Sequence, residues 1–234
     1  MHPHRTAGRR FTGSIMLETV IALPVVLVLG LSVTQWALVH EARAVIDHAT
    51  LMAARAGALK EARMTPMRNA FARAIVPFHL SRQDAGGFET AFLTRATPDA
   101  RLNLKLRILN PTREAFDDHA RRDRKGRRYL PFRDLDRRSG QPGRRSGLNI
   151  QDATLLRVQA TYGYPLKVPY AGAFIRQALR VATRWTTAYG PHERAMLRTG
   201  RLPIVTTATV RMQTRARAGS HFPRRSELDR VARE

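Results

Sequence analysis

Cysteine is absent from the 234 residues. That excludes a disulfide framework and any thiolate-held metal, and it leaves the compartment open. Lysine is nearly absent too, with Lys60, Lys105, Lys125 and Lys167 alone. Acidic residues are scarce, 18 against 41 basic ones, for a net charge of +23. Such an excess suggests a polyanion partner, either nucleic acid or an anionic surface. Because nearly all of it is arginine, whose codons are GC-rich, genome composition explains the excess equally well. Aromatic residues make up only 7%, which leaves few faces for stacking bases. Catalytic signatures are missing as well: no His-x3-His or H-E-x-x-H pair, no Gly-x-Ser-x-Gly elbow, no phosphate loop, no dinucleotide fingerprint. His192-Glu193 is isolated. Asp117-Asp118-His119 follows Arg113, Glu114 and Phe116 and reads as a solvated helix end rather than a metal site. No catalytic residue, metal or cofactor is therefore expected, and the chain does not read as an enzyme.

What is present is concentrated in the first forty residues. Arg5, Arg9 and Arg10 lead into an apolar stretch, and Thr19 to Val39 carries no charge. About 20 such residues cross a bilayer. Beyond the stretch, Glu41 and Asp47 offset Arg43 and Arg55. The positive-inside bias then places the N-terminus in the cytoplasm and the body outside. A cleavable secretory signal has a shorter apolar core ending in a small-x-small site. This run ends instead in Trp36-Ala37-Leu38-Val39-His40, which favours a permanent anchor. One carboxylate, Glu18, sits at its mouth, five residues after Gly13. A charge there is costly unless it lies among headgroups or finds a partner.

His40 to Met64 lacks proline and is rich in helix formers. Val45, Ala49, Met52, Ala53 and Ala56 recur at helical spacing. One helix over 14–63, about 75 Å long, is expected; two helices broken near Gly57 are the alternative. Thr65-Pro66 reads as an N-cap and first helical residue. A short amphipathic helix through Met67, Phe71 and Ile75 follows, ending at Pro77. Residues 81–100, with Gly86-Gly87 and Pro98, read mainly as loop, and 171–200 as a short helix and a loop. Three segments alternate like strands: 102–108, 156–164 and 204–212. Each has one apolar face, which implies an antiparallel sheet covered on one side by the first helix. Between the first two strands, Arg121, Arg122, Arg124, Lys125, Arg127 and Arg128 crowd into eight residues. Either this is a mobile, solvated loop or it is a polyanion site for DNA, polysaccharide or lipid headgroups. From Arg215 onward the chain is polar and basic and reads as a disordered tail.

The segment Arg9-Arg10-Phe11-Thr12-Gly13-Ser14-Ile15-Met16-Leu17-Glu18 resembles the class III signal of type IV pilins and pseudopilins. With Pro24 inside the apolar run, it is similar to the TadE/TadG-like minor pilins of tight-adherence systems. Thr161-Tyr162-Gly163-Tyr164-Pro165-Leu166 and Leu109-Asn110-Pro111-Thr112 also look like stretches of such proteins. The resemblance implies cleavage by a prepilin peptidase between Gly13 and Ser14. It implies that Glu18 pairs with the terminal amine of a neighbouring subunit, and that Pro24 belongs to the assembly helix. The expected fold is α+β and pilin-like, a long transmembrane helix continuing into a periplasmic domain with a small antiparallel sheet. The expected organisation is a cytoplasmic leader (1–13), a transmembrane segment (14–40), its continuation (41–64), a periplasmic domain (65–214) with basic loop 117–147, and the tail (215–234). The implied role is a non-catalytic subunit of pilus assembly, secretion and adherence in a bacterial inner membrane, with the peptidase, other pilin-like subunits and the assembly machinery as partners. The alternative role is a tethered basic periplasmic module that binds DNA or anionic envelope polymers.

Overall fold

A computed structural model describes residues 12–80, 87–166, 177 and 190–231. The chain opens with helix α1, Thr12–Leu59, 48 residues long and so about 72 Å from end to end. It runs unbroken through Pro24, although proline lacks the N–H that the Val20 carbonyl would receive. The side-chain hydroxyls of Ser32 and Thr34 donate back to the carbonyls of Val28 (2.7 Å) and Gly30 (3.0 Å). That keeps two polar groups satisfied within an apolar helix.

The two halves of α1 differ in what they touch. From Val20 to Leu29 the large apolar side chains stand exposed. From Ala42 onward a stripe turns inward, comprising Ala42, Ile46, Ala49, Ala53, Ala54 and Ala58. The three- and four-residue spacing keeps these positions on one face. Small side chains let the helix lie close against what it covers. Closest of all is Gly57, where a Cβ would fall 2.8 Å from Leu156 Cδ2 and 2.9 Å from Met67 Sδ.

The helix ends in an unusual clasp. Glu61 and Ala62 both take left-handed backbone conformations, with φ of 58°, which bulky residues adopt only when held. Here the Ala62 N–H bonds the Gly57 carbonyl at 2.8 Å. The Glu61 N–H donates to Thr214 Oγ1, and the Glu61 carboxylate pairs with Arg217 at 2.9 Å. Thr214 Oγ1 and the Gln213 N–H in turn satisfy the Ala58 carbonyl, which no helical donor reaches.

Helix α2, Met64–Ala74, returns along α1 and buries Met67, Phe71 and Ala72. Arg63, not Thr65, occupies its N-cap and makes no side-chain cap bond. The helix therefore starts earlier than the Thr-Pro pair suggests. A 3-10 turn, Val76–Phe78, follows. Residues 87–103 are helical where the sequence suggests loop: α3 (Gly87–Ala91), a π turn (Phe92–Ala96) and α4 (Thr97–Asn103). Gly87, at φ +62°, starts this run. Pro98 falls in the first turn of α4, where its missing N–H costs little, and the π turn just before it absorbs the break in the ladder.

The main sheet has three antiparallel strands in the order β1-β4-β5: β1 (Leu104–Asn110), β4 (Leu155–Pro165) and β5 (Arg201–Arg211). The register sets Leu104 opposite Tyr162, and Tyr162 opposite Ile204. That brings Leu104, Leu106, Ile108, Leu156, Val158, Ala160, Tyr162 and Ile204 onto one buried face. Helices α1 and α2 cover this face, and Phe71 meets Tyr162 with ring centres 5.8 Å apart. Each large side chain buried there contributes about 1.5–3 kcal/mol. At the centre of the joint, Thr50 of α1 and Thr206 of β5 share a buried hydrogen bond of 2.6 Å.

Between β1 and β4 lie α5 (Arg113–His119), the short strands β2 (Arg121–Arg122) and β3 (Arg128–Leu130), and α6 (Ile150–Ala153). After β4 come α7 (Pro191–Arg198), β5, β6 (Ala216–Arg217) and α8 (Arg225–Val231). Most of the expected helix and loop of 171–200 lies outside the described residues. Strand β6 pairs with β3 and completes a second sheet, β2-β3-β6.

The stretch after Arg215 is therefore no disordered tail through the described residues. Phe222 is 1% exposed and packs on Phe116, ring centres 4.8 Å apart. Arg113 grips the carbonyls of Phe222 and Ser220, and Arg225 bonds the Ser146 carbonyl. A single aromatic anchor and paired backbone outweigh the polar composition that surrounds them.

Candidate assembly segment and basic hairpin

Gly13 and Ser14 lie in the first turn of α1; the leader 1–11 lies outside the described residues. Glu18 is exposed on the same helix, one turn in, beside Met16, Val20 and Ile21, which are 75%, 69% and 64% exposed. No basic side chain among the described residues pairs with Glu18. In lipid or in an apolar bundle such a carboxylate demands a cation from outside its own helix. Pro24 follows about 9 Å further along the axis. At the far end of the apolar face stands Trp36, exposed and edge-on to His40 at 5.4 Å. An indole there suits a membrane–water boundary. The helix is long and apolar enough to cross a membrane and is a candidate anchor.

Residues 13–55 match the family model of TadE-like proteins. This N-terminal segment is TadE-like. The match begins at Gly13, includes Glu18 and Pro24, and stops on the part of α1 that packs against the sheet. Beyond the TadE-like segment the fold is the expected α+β arrangement, a long apolar helix followed by a domain with small antiparallel sheets. Searches of curated proteins and of solved structures returned no match.

The six basic candidates fall on the β2–β3 hairpin and separate into two groups. Arg127 and Arg128 are structural. Asp123 accepts from the Lys125 and Arg127 N–H groups at 2.8 and 2.9 Å and from Arg127 Nε at 3.0 Å. The Arg127 backbone bond is foremost in holding this carboxyl below its usual range. Gly126, at φ +74°, completes the turn. Arg128 donates to the Phe116 carbonyl and to Asp117. Arg121, Arg122, Arg124 and Lys125 are exposed, and no acidic partner reaches their side chains among the described residues.

The Asp117-Asp118-His119 cluster anchors the neighbouring loop. Asp118 accepts from the Ser146 N–H and hydroxyl at 2.7 and 2.8 Å. His119 Nε2 meets the Leu148 carbonyl at 2.8 Å. Among the described residues no three ligating side chains converge on a metal position.

Sequence reasoning missed one buried polar node. Asp99 of α4 receives the Tyr162 hydroxyl and Arg201 Nη2, the latter at 2.7 Å. His79 Nε2 stands 3.6 Å from the same carboxylate, too far for a hydrogen bond. Burial opposes the Asp99 charge, but His79, Tyr162 and Arg201 together hold the carboxyl below its usual range. Burial and the adjacent carboxylate push the Tyr162 phenol up. The node ties α4 to the ends of β4 and β5, and nothing in the spacing of those residues announces it.

Proposed function

We propose that the chain is a non-catalytic, minor pilin-like subunit of a tight-adherence type pilus or related secretion apparatus. In this reading it sits in a bacterial inner membrane with its N-terminus in the cytoplasm and its body in the periplasm. A prepilin peptidase removes the leader between Gly13 and Ser14. Glu18 then pairs with the terminal amine of a neighbouring subunit, which supplies the cation its own helix lacks. Pro24 and the exposed apolar face of α1 contact neighbouring subunits and the assembly machinery.

The observation that carries the reading is the position of the TadE-like segment. It begins at the glycine and extends over a helix whose first half exposes apolar side chains and whose second half is built into the domain.

The test is the mass of the membrane-extracted protein from cells with and without a prepilin peptidase. With the peptidase the chain should lack residues 1–13, and Gly13→Leu should restore the full mass. An identical mass in both strains overturns the reading.

A further inference from the structure

We infer that the β2–β3 hairpin is a docking surface for the phosphate backbone of duplex nucleic acid, a role beyond the pilin-like reading and compatible with it. Residues 117–147 carry eleven basic side chains and five acidic ones. Three of the acids are engaged within the fold: Asp117 takes Arg128 and Arg145, Asp118 takes the Ser146 loop, and Asp123 takes Arg127, while Asp134 and Asp136 stand exposed further along the chain. That internal pairing leaves Arg121, Arg122, Arg124 and Lys125 without an acidic partner among the described residues, Arg122 donating only to the Gly126 carbonyl at 3.4 Å; three of the four are guanidinium forks suited to phosphate oxygens.

Two further observations choose the partner. The two aromatic rings of the 117–147 stretch each already carry a guanidinium: that of Arg215 lies 4.9 Å over Tyr129, and that of Arg133 lies 5.3 Å from the centre of Phe132. Single-stranded nucleic acid is held chiefly by stacking on open aromatic faces. Duplex backbone needs none, because its bases are already stacked and its binding energy comes from phosphate contacts.

The second observation is distance from the membrane, which rests on α1 being the anchor. The hairpin's root is tied to the far end of α1, through β3 pairing with Arg217 and Arg217 pairing with Glu61. That end lies about 28 Å beyond His40. From Tyr129 to the tip at Lys125 is about 13 Å of strand. The direction in which the hairpin points then sets the distance of its tip from the apolar run. Screening reduces surface charge interactions beyond about 8–10 Å, so the headgroups of the protein's own membrane are partners only for a hairpin turned back along α1. A soluble polyanion arriving from outside is a good one.

The experiment uses the full chain in neutral-lipid nanodiscs, with a 30-base-pair duplex as probe and a salt series. Four exposed hairpin cations are replaced together (Arg121→Ala, Arg122→Ala, Arg124→Ala, Lys125→Ala). A control removes four exposed arginines elsewhere (Arg55→Ala, Arg68→Ala, Arg101→Ala, Arg198→Ala). Each phosphate neutralised contributes about 0.9 to the slope of log K against log salt. The hairpin variant should lose up to about 3.6 units of slope and at least tenfold in affinity, while the control keeps its slope within about one unit and its affinity within about twofold. Equal losses in both variants overturn the proposal, since diffuse charge then suffices. So does a wild-type chain that ignores duplex at moderate salt, or one whose hairpin dependence appears only with phosphatidylglycerol vesicles. The mass test of Gly13 cleavage is unaffected by any of these results, so the two readings fail separately.

Discussion

Replacing Phe222 by alanine tests the ordered C-terminal stretch directly. The ring is 1% exposed and sits 4.8 Å from Phe116, centre to centre. Truncating a buried phenylalanine costs about 3–5 kcal/mol, through lost transfer energy and the cavity left behind. That is a large part of the 5–15 kcal/mol that holds a typical domain together. For a chain of this size it lowers the melting midpoint by roughly 6–20 °C. The loss should also open the strand pairing of Ala216–Arg217 with Tyr129–Leu130 and expose the 215–231 stretch to protease. The assay is urea or thermal unfolding of the full chain in detergent, followed by tryptophan fluorescence and trypsin cleavage. A double-mutant cycle with Phe116→Ala adds a second check, since the pair should couple by about 0.5–1.5 kcal/mol. A solvated tail would lose under about 0.5 kcal/mol on the same substitution. A value that small, with unchanged cleavage, refutes the packing described.

Two other predictions follow from buried polar contacts. Thr50→Val should cost about 1–2 kcal/mol by stranding the Thr206 hydroxyl 2.6 Å away, whereas Thr50→Val with Thr206→Val should recover most of it; urea midpoints of the three variants decide this. Asp99 has a folded carboxyl below its usual range, so its stabilising effect is present above the unfolded value of 3.8 and is lost as pH falls through the lower folded value. Asp99→Asn should therefore destabilise the protein at neutral pH by about 1–3 kcal/mol, because the half-buried Arg201 loses its carboxylate and keeps only the Gly163 carbonyl. The gap to wild type should narrow below about pH 4, as read by unfolding at pH 7 and pH 3.

The parts of this fold that repeat were legible in the sequence. Alternation along Leu104, Leu106 and Ile108, and along Leu156, Val158, Ala160 and Tyr162, predicted the strands and their buried face. Of the stripe expected along α1, Ala49 and Ala53 are buried, while Val45, Met52 and Ala56 are only half-buried, and the inner face runs instead through Ala42, Ile46, Ala54 and Ala58. The parts that failed depend on single residues or distant partners. Leu102 fits the alternation but is 78% exposed at the end of α4, so β1 begins two residues later. Glycine and proline at 87 and 98 suggested a loop, yet one starts a helical run and the other occupies the first turn of its last segment. The tail looked disordered because composition averages over Phe222. The basic stretch looked like a loop because the acids that fold it, Asp117, Asp118 and Asp123, find their partners only in three dimensions. Local periodicity likewise contains no trace of the Asp99–Arg201 pair.

The clasp on the end of α1 has a mechanical consequence. A tug on the anchor runs down a single rod of 48 residues and arrives at the Ala58 carbonyl, which Gln213 and Thr214 hold. Before the rod can slide, the alanine stripe must shear along β4 and β5 together, and Glu61 must let go of Arg217. Force is thus shared across many parallel contacts instead of peeling them one by one, so anchor and body move as a single lever.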